Sequence, residues 1–267
     1  MDNRAIGVFD SGLGGLTATR ELSLLLPGEH IIYLGDSQNM PYGEKSREQI
    51  IALSLNNLKF LLERDVKAVF VACGTATSNA LSELQKASPV PVFGVVEPAA
   101  REAVSLTKNG KIGILATRAS VAAGAFDGII KTLRPELSTS SRACPKFATM
   151  VEDGIVDKDD PRLRRAADEY LPPLKNGGVD TVILGCTHYP LLADIIGEYM
   201  GADIKLISAG AAAARSLSRY LQDNGLTSDS LSGKTEYFTT GDAKQFAKAA
   251  ARMLGGDILE CTRSVGM

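Results

Sequence analysis

The chain has 267 residues, room for two ordinary domains or one large one. Its 29 Lys+Arg and 31 Asp+Glu leave a net charge of −2, which argues against a nucleic-acid partner, because that needs a basic face. With 45% hydrophobic and 22% charged residues it reads as globular rather than disordered, and no apolar run reaches the ~18 residues of a membrane span.

In chain order, short apolar runs alternate with helical patterns. IGVF (6–9) reads as a strand, GLTATRELSLLL (15–26) as a helix ended by Pro27-Gly28, HIIYLG (30–35) as a strand and 46–64 as a long amphipathic helix. AVFVA (68–72), PVFGVV (91–96), KIGILAT (111–117), KFATMVE (146–152), TVILG (181–185), DIKLIS (203–208) and TEYFTTG (235–241) read as further strands. Helices are predicted over 78–87, 97–107, 120–133, 161–176 with a break at Pro172-Pro173, 190–200, 209–224 and 243–254. Continuous apolar strands separated by amphipathic helices predict an α/β fold with mainly parallel sheets flanked by helices. The order also repeats. IGVFD and IGILA, Asp36 and Glu152 at two strand ends, and Cys73 and Cys186 recur at nearly one offset, which predicts two similar α/β halves. The N-terminus, MDNRAIGVFDSG, lacks a charged-then-apolar signal and runs into a strand, so the expectation is a cytoplasmic protein.

Potentially reactive residues are few. There are four cysteines, Cys73, Cys144, Cys186 and Cys261, and two histidines. No C-x-x-C spacing is present, disulfides are not expected, and two histidines cannot build a three-histidine site, so no metal is expected. VFVACGTATSNAL (69–81) and VILGCTHYPLL (182–192) share one pattern: an apolar strand, a cysteine, a threonine, a helix. Ligands of parallel sheets bind beyond the carboxyl ends of strands. Both thiols are therefore expected there, at helix N-termini that would lower a thiol pKa and attract carboxylates. A single buried cysteine is usually structural; two in matched places suit two-base stereoinversion, each thiol serving one face of a carbon. Asp10-Ser11-Gly12-Leu13-Gly14-Gly15 lacks the third glycine of a dinucleotide fingerprint and a Walker lysine. It reads as a turn that poises Asp10 near a thiol and turns Ser11 toward a small anion. His188, two residues after Cys186, is placed to exchange a proton with the thiol or a ligand. Pro41-Tyr42-Gly43 reads alone as a turn, Arg162, Arg164 and Arg165 as a solvated face, and His30, Cys144 and Cys261 attract no role.

On GVFDSGLGGLT (7–17), YLGDSQNMPYGEKS (33–46), VACGTA (71–76), GVVEPA (94–99), LGCTHYPLL (184–192) and YFTTGDAKQFAKAA (237–250), the chain resembles the glutamate racemases of the cofactor-independent aspartate/glutamate racemase family. The resemblance runs through nearly the whole chain. It implies two α/β domains with the active site in the cleft between them, residues 1–96 plus 209–267 forming one and 97–208 inserted as the second. It implies interconversion of L- and D-glutamate for peptidoglycan without a cofactor, and a homodimer. Carried over, Cys73 and Cys186 match the two catalytic acid/base cysteines, the first acting on D-glutamate and the second on L-glutamate. Asp10 and His188 match their polar partners. Asp10, Ser11, Tyr42, Gly43, Thr75, Thr187 and His188 match substrate-contacting positions, and Glu152 matches an acidic residue lining the pocket.

Two positions depart from the family pattern. Gly74 stands at a substrate-binding position where Cys-Asn-Thr is commoner, so a side-chain amide is missing; a backbone N–H, a water or Asn79 is its candidate substitute. Ser208 stands where many members have Asp. The departures leave two other readings open: a racemase for another acidic amino acid such as aspartate, or a non-catalytic amino-acid-binding paralogue.

Overall fold

A computed structural model describes residues 1–254 and 256–266. The elements are β1 (Ile6–Asp10), α1 (Gly15–Leu25), β2 (Ile31–Gly35), α2 (Arg47–Leu62), β3 (Ala68–Val71), α3 (Gly74–Ala87), β4 (Val92–Gly94), α4 (Val96–Leu106), β5 (Lys111–Ala116), α5 (Arg118–Ala123), α6 (Ala125–Leu133), β6 (Ser138–Ala143), α7 (Pro145–Glu152), α8 (Pro161–Tyr170), α9 (Pro172–Asn176), β7 (Thr181–Leu184), α10 (Ala193–Met200), β8 (Lys205–Ser208), α11 (Ala209–Asp223), β9 (Thr235–Thr239), α12 (Ala243–Leu254) and β10 (Thr262–Ser264).

The strands form two sheets, ordered β10-β9-β2-β1-β3-β4 and β6-β5-β7-β8. Every strand pairing in both is parallel. The run β2-β1-β3-β4 of the first sheet repeats as β6-β5-β7-β8 in the second. β1 thus corresponds to β5, and β3 to β7. This repetition carries the similarity of the halves further than the sequence did: Cys73 follows β3 and Cys186 follows β7. The central strands β1, β3 and β7 are buried throughout, as continuous apolar strands covered on both faces must be.

One apolar cluster joins the two halves. It contains Ile6, Val8 and Phe70 of the first sheet, Ile112, Ile114 and Ile183 of the second, Ala99 and Ala103 of α4, and Ala213 and Leu217 of α11. Helix α11 packs against both α1 and α4. Small alanines on its buried face let it approach closely. Ser208 caps it, Oγ accepting from Ala211 N–H at 3.3 Å. Serine and aspartate are comparable N-caps, so the departure at Ser208 keeps that local function.

Several sequence expectations need correction. KFATMVE is helix α7, not a strand. Pro145 opens it at the first turn, where a missing N–H costs nothing, and Phe147 and Val151, four apart, share its buried face. The strand at that place in the order is β6, STSSRA, which is polar because it is an edge strand and only half buried. Glu152 therefore ends a helix, and its correspondence with Asp36 falls away. The helix expected over 120–133 is two helices, parted at Gly124 in the left-handed region (φ 63°). The strand expected over 91–96 stops at Gly94, and the run 190–200 begins as a 3₁₀ turn (Tyr189–Leu192) before α10. β10 has no apolar signal and was not expected. The break at Pro172-Pro173 does separate α8 from α9.

Candidate active site

The carboxyl ends of β1, β3, β5 and β7 face a common cavity of about 630 Å³. Ser11, Tyr42, Gly43, Cys73, Gly74, Thr75, Glu152, Cys186, Thr187 and His188 line it. Ten of the eleven residues singled out in the sequence therefore meet at one place. Asp10 is the exception. It is fully buried and stands behind the wall, its Oδ2 accepting from Gly12 N–H at 2.9 Å and its Oδ1 from the Thr187 hydroxyl at 3.4 Å. A direct substrate contact by Asp10 is thus not what its position offers; it holds the loops of both halves.

Cys73 is the N-cap of α3, its Sγ accepting from Ala76 N–H at 3.4 Å and donating toward Ser11 Oγ at 3.6 Å. The helix terminus was expected to lower its pKa. Instead burial, reinforced by the Asp10 carboxylate, pushes the thiol up to about 12, against the opposing Ala76 and Ser11 contacts. Desolvation of the charged form outweighs the last-turn dipole here. Cys186 differs again. Only the turn Cys186-Thr187-His188 and a 3₁₀ turn follow it, so it is not at an α-helix N-terminus. Its Sγ lies 3.5 Å from His188 Nδ1, and His188 Nε2 lies 3.2 Å from Glu152 Oε1, an ion-pair contact without hydrogen-bond alignment. Burial alone would lower the imidazole's pKa, but its polar contacts with Cys186 and Glu152, reinforced by their electrostatic attraction, outweigh it and hold it well above the usual histidine range.

The hydroxyl of Tyr42 is committed: it donates to Asp36 Oδ2 at 2.5 Å and accepts from Asn57 at 3.0 Å. Asp36 also accepts from Thr240 and Asn39, so this buried carboxylate ties the Pro41-Tyr42-Gly43 wall to the end of β9. Asn79, the candidate substitute for an amide at position 74, spends its Nδ2 on the carbonyls of Thr75 (2.9 Å) and Ala119 (3.4 Å) and does not line the cavity.

Sequence reasoning missed Thr117. It caps α5, bonds Thr75 Oγ1 at 2.9 Å and Ser120 Oγ at 3.0 Å, and lines the cavity. The signal was present: KIGILAT ends where IGVFDS ends in the repeat. Arg118, Lys146, Thr149 and Tyr170 also border the cavity, as does Arg162, which is exposed and paired with Asp160 as a solvated residue would be. Among the described residues, no three His, Cys, Asp or Glu side chains are grouped to hold a metal ion, and no helix is long and apolar enough to cross a membrane.

Two thiols at equivalent strand ends, one beside a carboxylate and one beside an imidazole, can exchange protons with opposite faces of one bound carbon. Hydroxyls of Ser11, Thr75, Thr117 and Thr187 stand by for polar substituents.

A family model of Asp/Glu/hydantoin racemases matches residues 6–217. A glutamate racemase of Geobacter metallireducens is 41% identical over 97% of this chain and 95% of its own length. Among solved structures, a glutamate racemase isoform from Bacillus anthracis superposes with a TM-score of 0.96 at 38% identity, covering 100% of this chain and 99% of the other. The glutamate racemase of Francisella tularensis, solved in complex with D-glutamate, superposes with a TM-score of 0.92 at 32% identity, covering 100% and 98%.

Proposed function

The chain belongs to the Asp/Glu/hydantoin racemase family, and with it to the isomerases, and we propose that it interconverts L- and D-glutamate by proton transfer between two cysteines. The observation that carries this reading is the pairing of Cys73 and Cys186 at equivalent strand ends around one cavity, with oppositely charged neighbours. In one direction the Cys186 thiolate removes the α-proton of L-glutamate and becomes a thiol. The Cys73 thiol delivers its proton to the opposite face and becomes a thiolate. The reverse reaction exchanges these roles. Protons balance, and no redox step occurs. Ser11, Thr75 and Thr187 hold the substrate's carboxylates; Glu152 and His188 maintain the Cys186 side, and Asp10 the Cys73 side. D-Glutamate so formed supplies peptidoglycan precursors.

The same reading takes residues 1–96 with 209–267 as one domain and 97–208 as the other; the pairing of β9 with β2 supports it, because it returns the C-terminal segment to the first sheet. It also takes the cytoplasmic protein as a homodimer, which light scattering of the purified protein reads directly.

The test is to incubate purified protein with L-glutamate, D-glutamate and both aspartate enantiomers in deuterated water. Inversion of both glutamate enantiomers with α-deuterium incorporation is expected. Preferred inversion of aspartate would move the substrate, and glutamate binding without α-exchange would make the protein a binding paralogue.

A further inference from the structure

We infer that Gly74 is a positioning residue: its missing side chain sets the distance between the two thiol loops. This rests on the two-thiol reading above. Gly74 directly follows Cys73, and Gly185 directly precedes Cys186. A Cβ on Gly74 would stand 2.1 Å from the Gly185 carbonyl oxygen, 3.2 Å from its carbonyl carbon and 3.9 Å from Cys186 Cα. Ordinary contact for a Cβ begins at 3.4 Å. Any side chain at position 74 therefore drives the loops apart by roughly an ångström, because the atom it meets is backbone and has no rotamer to escape into.

Neither loop is free to yield. Gly185 N–H is bonded to Leu115 O at 2.8 Å, and the residue lies against the Leu115 carbonyl and the Phe126 ring. On the other side, the start of α3 is fixed by the Thr77 hydroxyl on Cys73 O at 2.9 Å. The halves are also bonded to one another around this contact, through Thr75–Thr117 at 2.9 Å and Thr17 Oγ1 on Thr187 O at 3.0 Å. Gly14 also lies close to the second loop, but against side chains: a Cβ there would stand 2.2 Å from Thr187 Oγ1. Close backbone approach at Gly74, fastened by these threonine hydroxyls rather than by a side-chain amide, thus sets the register of the cysteine loops. Two-base transfer needs both sulfurs within reach of one carbon at the same time, and a displacement of about 1 Å costs on the order of 100-fold in rate. The residue that looked like a lost substrate contact is, on this geometry, what brings the second thiol within reach. Supplying an asparagine would damage the site rather than repair it.

The experiment compares the parent with Gly74→Asn and Gly74→Ala. Circular dichroism follows inversion of each glutamate enantiomer, and mass spectrometry follows α-deuterium incorporation. Both variants are expected to lose about 100-fold in kcat for inversion, with a rising ratio of exchange to inversion. The nearer thiol still removes the proton, but deuterium returns from the same face when the other sulfur is out of reach. A folding defect lowers exchange and inversion together and leaves the ratio unmoved. Gly74→Asn inverting glutamate as fast as the parent overturns the inference, as does a loss of rate at constant ratio. If neither variant folds, a crystal structure of the parent decides: a Cβ position at Gly74 standing beyond 3.4 Å from the Gly185 oxygen overturns it, and one within that distance supports it. A parent that does not invert glutamate at all fails the functional reading first.

Discussion

The loops of Cys73 and Cys186 occupy equivalent places in two sheets wound in the same order, yet their electrostatic surroundings are opposite. Cys73 caps a helix, with Ser11 beside it and the Asp10 carboxylate behind; burial and that negative charge hold it as a thiol. Cys186 has an imidazole at 3.5 Å that Glu152 helps to keep protonated. A negative neighbour favours the neutral thiol and a positive one the thiolate. A two-base racemase needs one of each before substrate arrives. A symmetric fold supplies two faces of approach, and the asymmetric side chains supply the difference in protonation. On the two-thiol mechanism proposed above, these surroundings assign the first proton abstraction from L-glutamate to the Cys186 side.

Removing either sulfur breaks the comparison most severely. Cys73→Ala and Cys186→Ala should each lose at least ~10³-fold in inversion, the upper range for loss of a general acid or base. The two enantiomers have equal free energy, so kcat/KM must fall equally in both directions. The asymmetry is visible instead in α-exchange: Cys73→Ala should exchange L-glutamate alone and Cys186→Ala D-glutamate alone. Exchange of the same enantiomer by both variants contradicts the assignment. His188→Asn comes next, with a loss of roughly 100-fold and a changed pH profile. With histidine present, the imidazolium persists above the usual histidine range, so activity falls on the alkaline side as that proton leaves. The variant lacks this limb. An unchanged profile would show that the imidazolium is not required in the reacting form.

What was legible in the sequence follows the same division. Buried strands announce themselves by apolar runs, and β1, β3, β5 and β7 carry the ends on which the site is built. The strand–Cys–Thr pattern therefore located both thiols, and the resemblance supplied Tyr42, Gly43 and Glu152. The edge strand β6 was missed because half exposure removes the apolar run, and α7 was misread because seven residues hold too few turns to separate helical spacing from a strand. The charged neighbours Asp10 and His188 were legible; the balance of burial against charge was not. A helix N-terminus next to Cys73 argued for an acidic thiol, whereas the opposing quantities, its burial and the carboxylate of Asp10, depend on how distant segments pack. Thr117 stands at the place of Ser11 in the repeat, but a single threonine after a strand carries no local signal of its own. Gly74 read as a deficit because a sequence shows which side chain is absent and not which backbone occupies the space.

Asp10→Asn is the mildest way to sharpen the contrast, with about a tenfold loss of inversion expected, near 1.4 kcal/mol. The substitution keeps the shape and an oxygen for Gly12 N–H or the Thr187 hydroxyl while removing the charge. Burial raises the pKa of Asp10 itself, opposed by the charge of His188 and the Gly12 N–H. Near pH 12, where Cys73 ionises, Asp10 is nevertheless a carboxylate, and its negative charge adds to the cost of a thiolate at Cys73. The sign follows directly: without that charge the thiol ionises more readily, and at any pH below its inflection a larger fraction is thiolate. Alkylation by iodoacetamide tracks that fraction. Peptide mapping after brief alkylation at neutral pH should show Cys186 modified before Cys73 in the parent, and Cys73 gaining on it in Asp10→Asn. If Cys73 alkylates no faster in the variant, Asp10 is not what holds it as a thiol. Burial alone would then account for the contrast between the loops, and the role of Asp10 would reduce to joining β1 to the Thr187 turn.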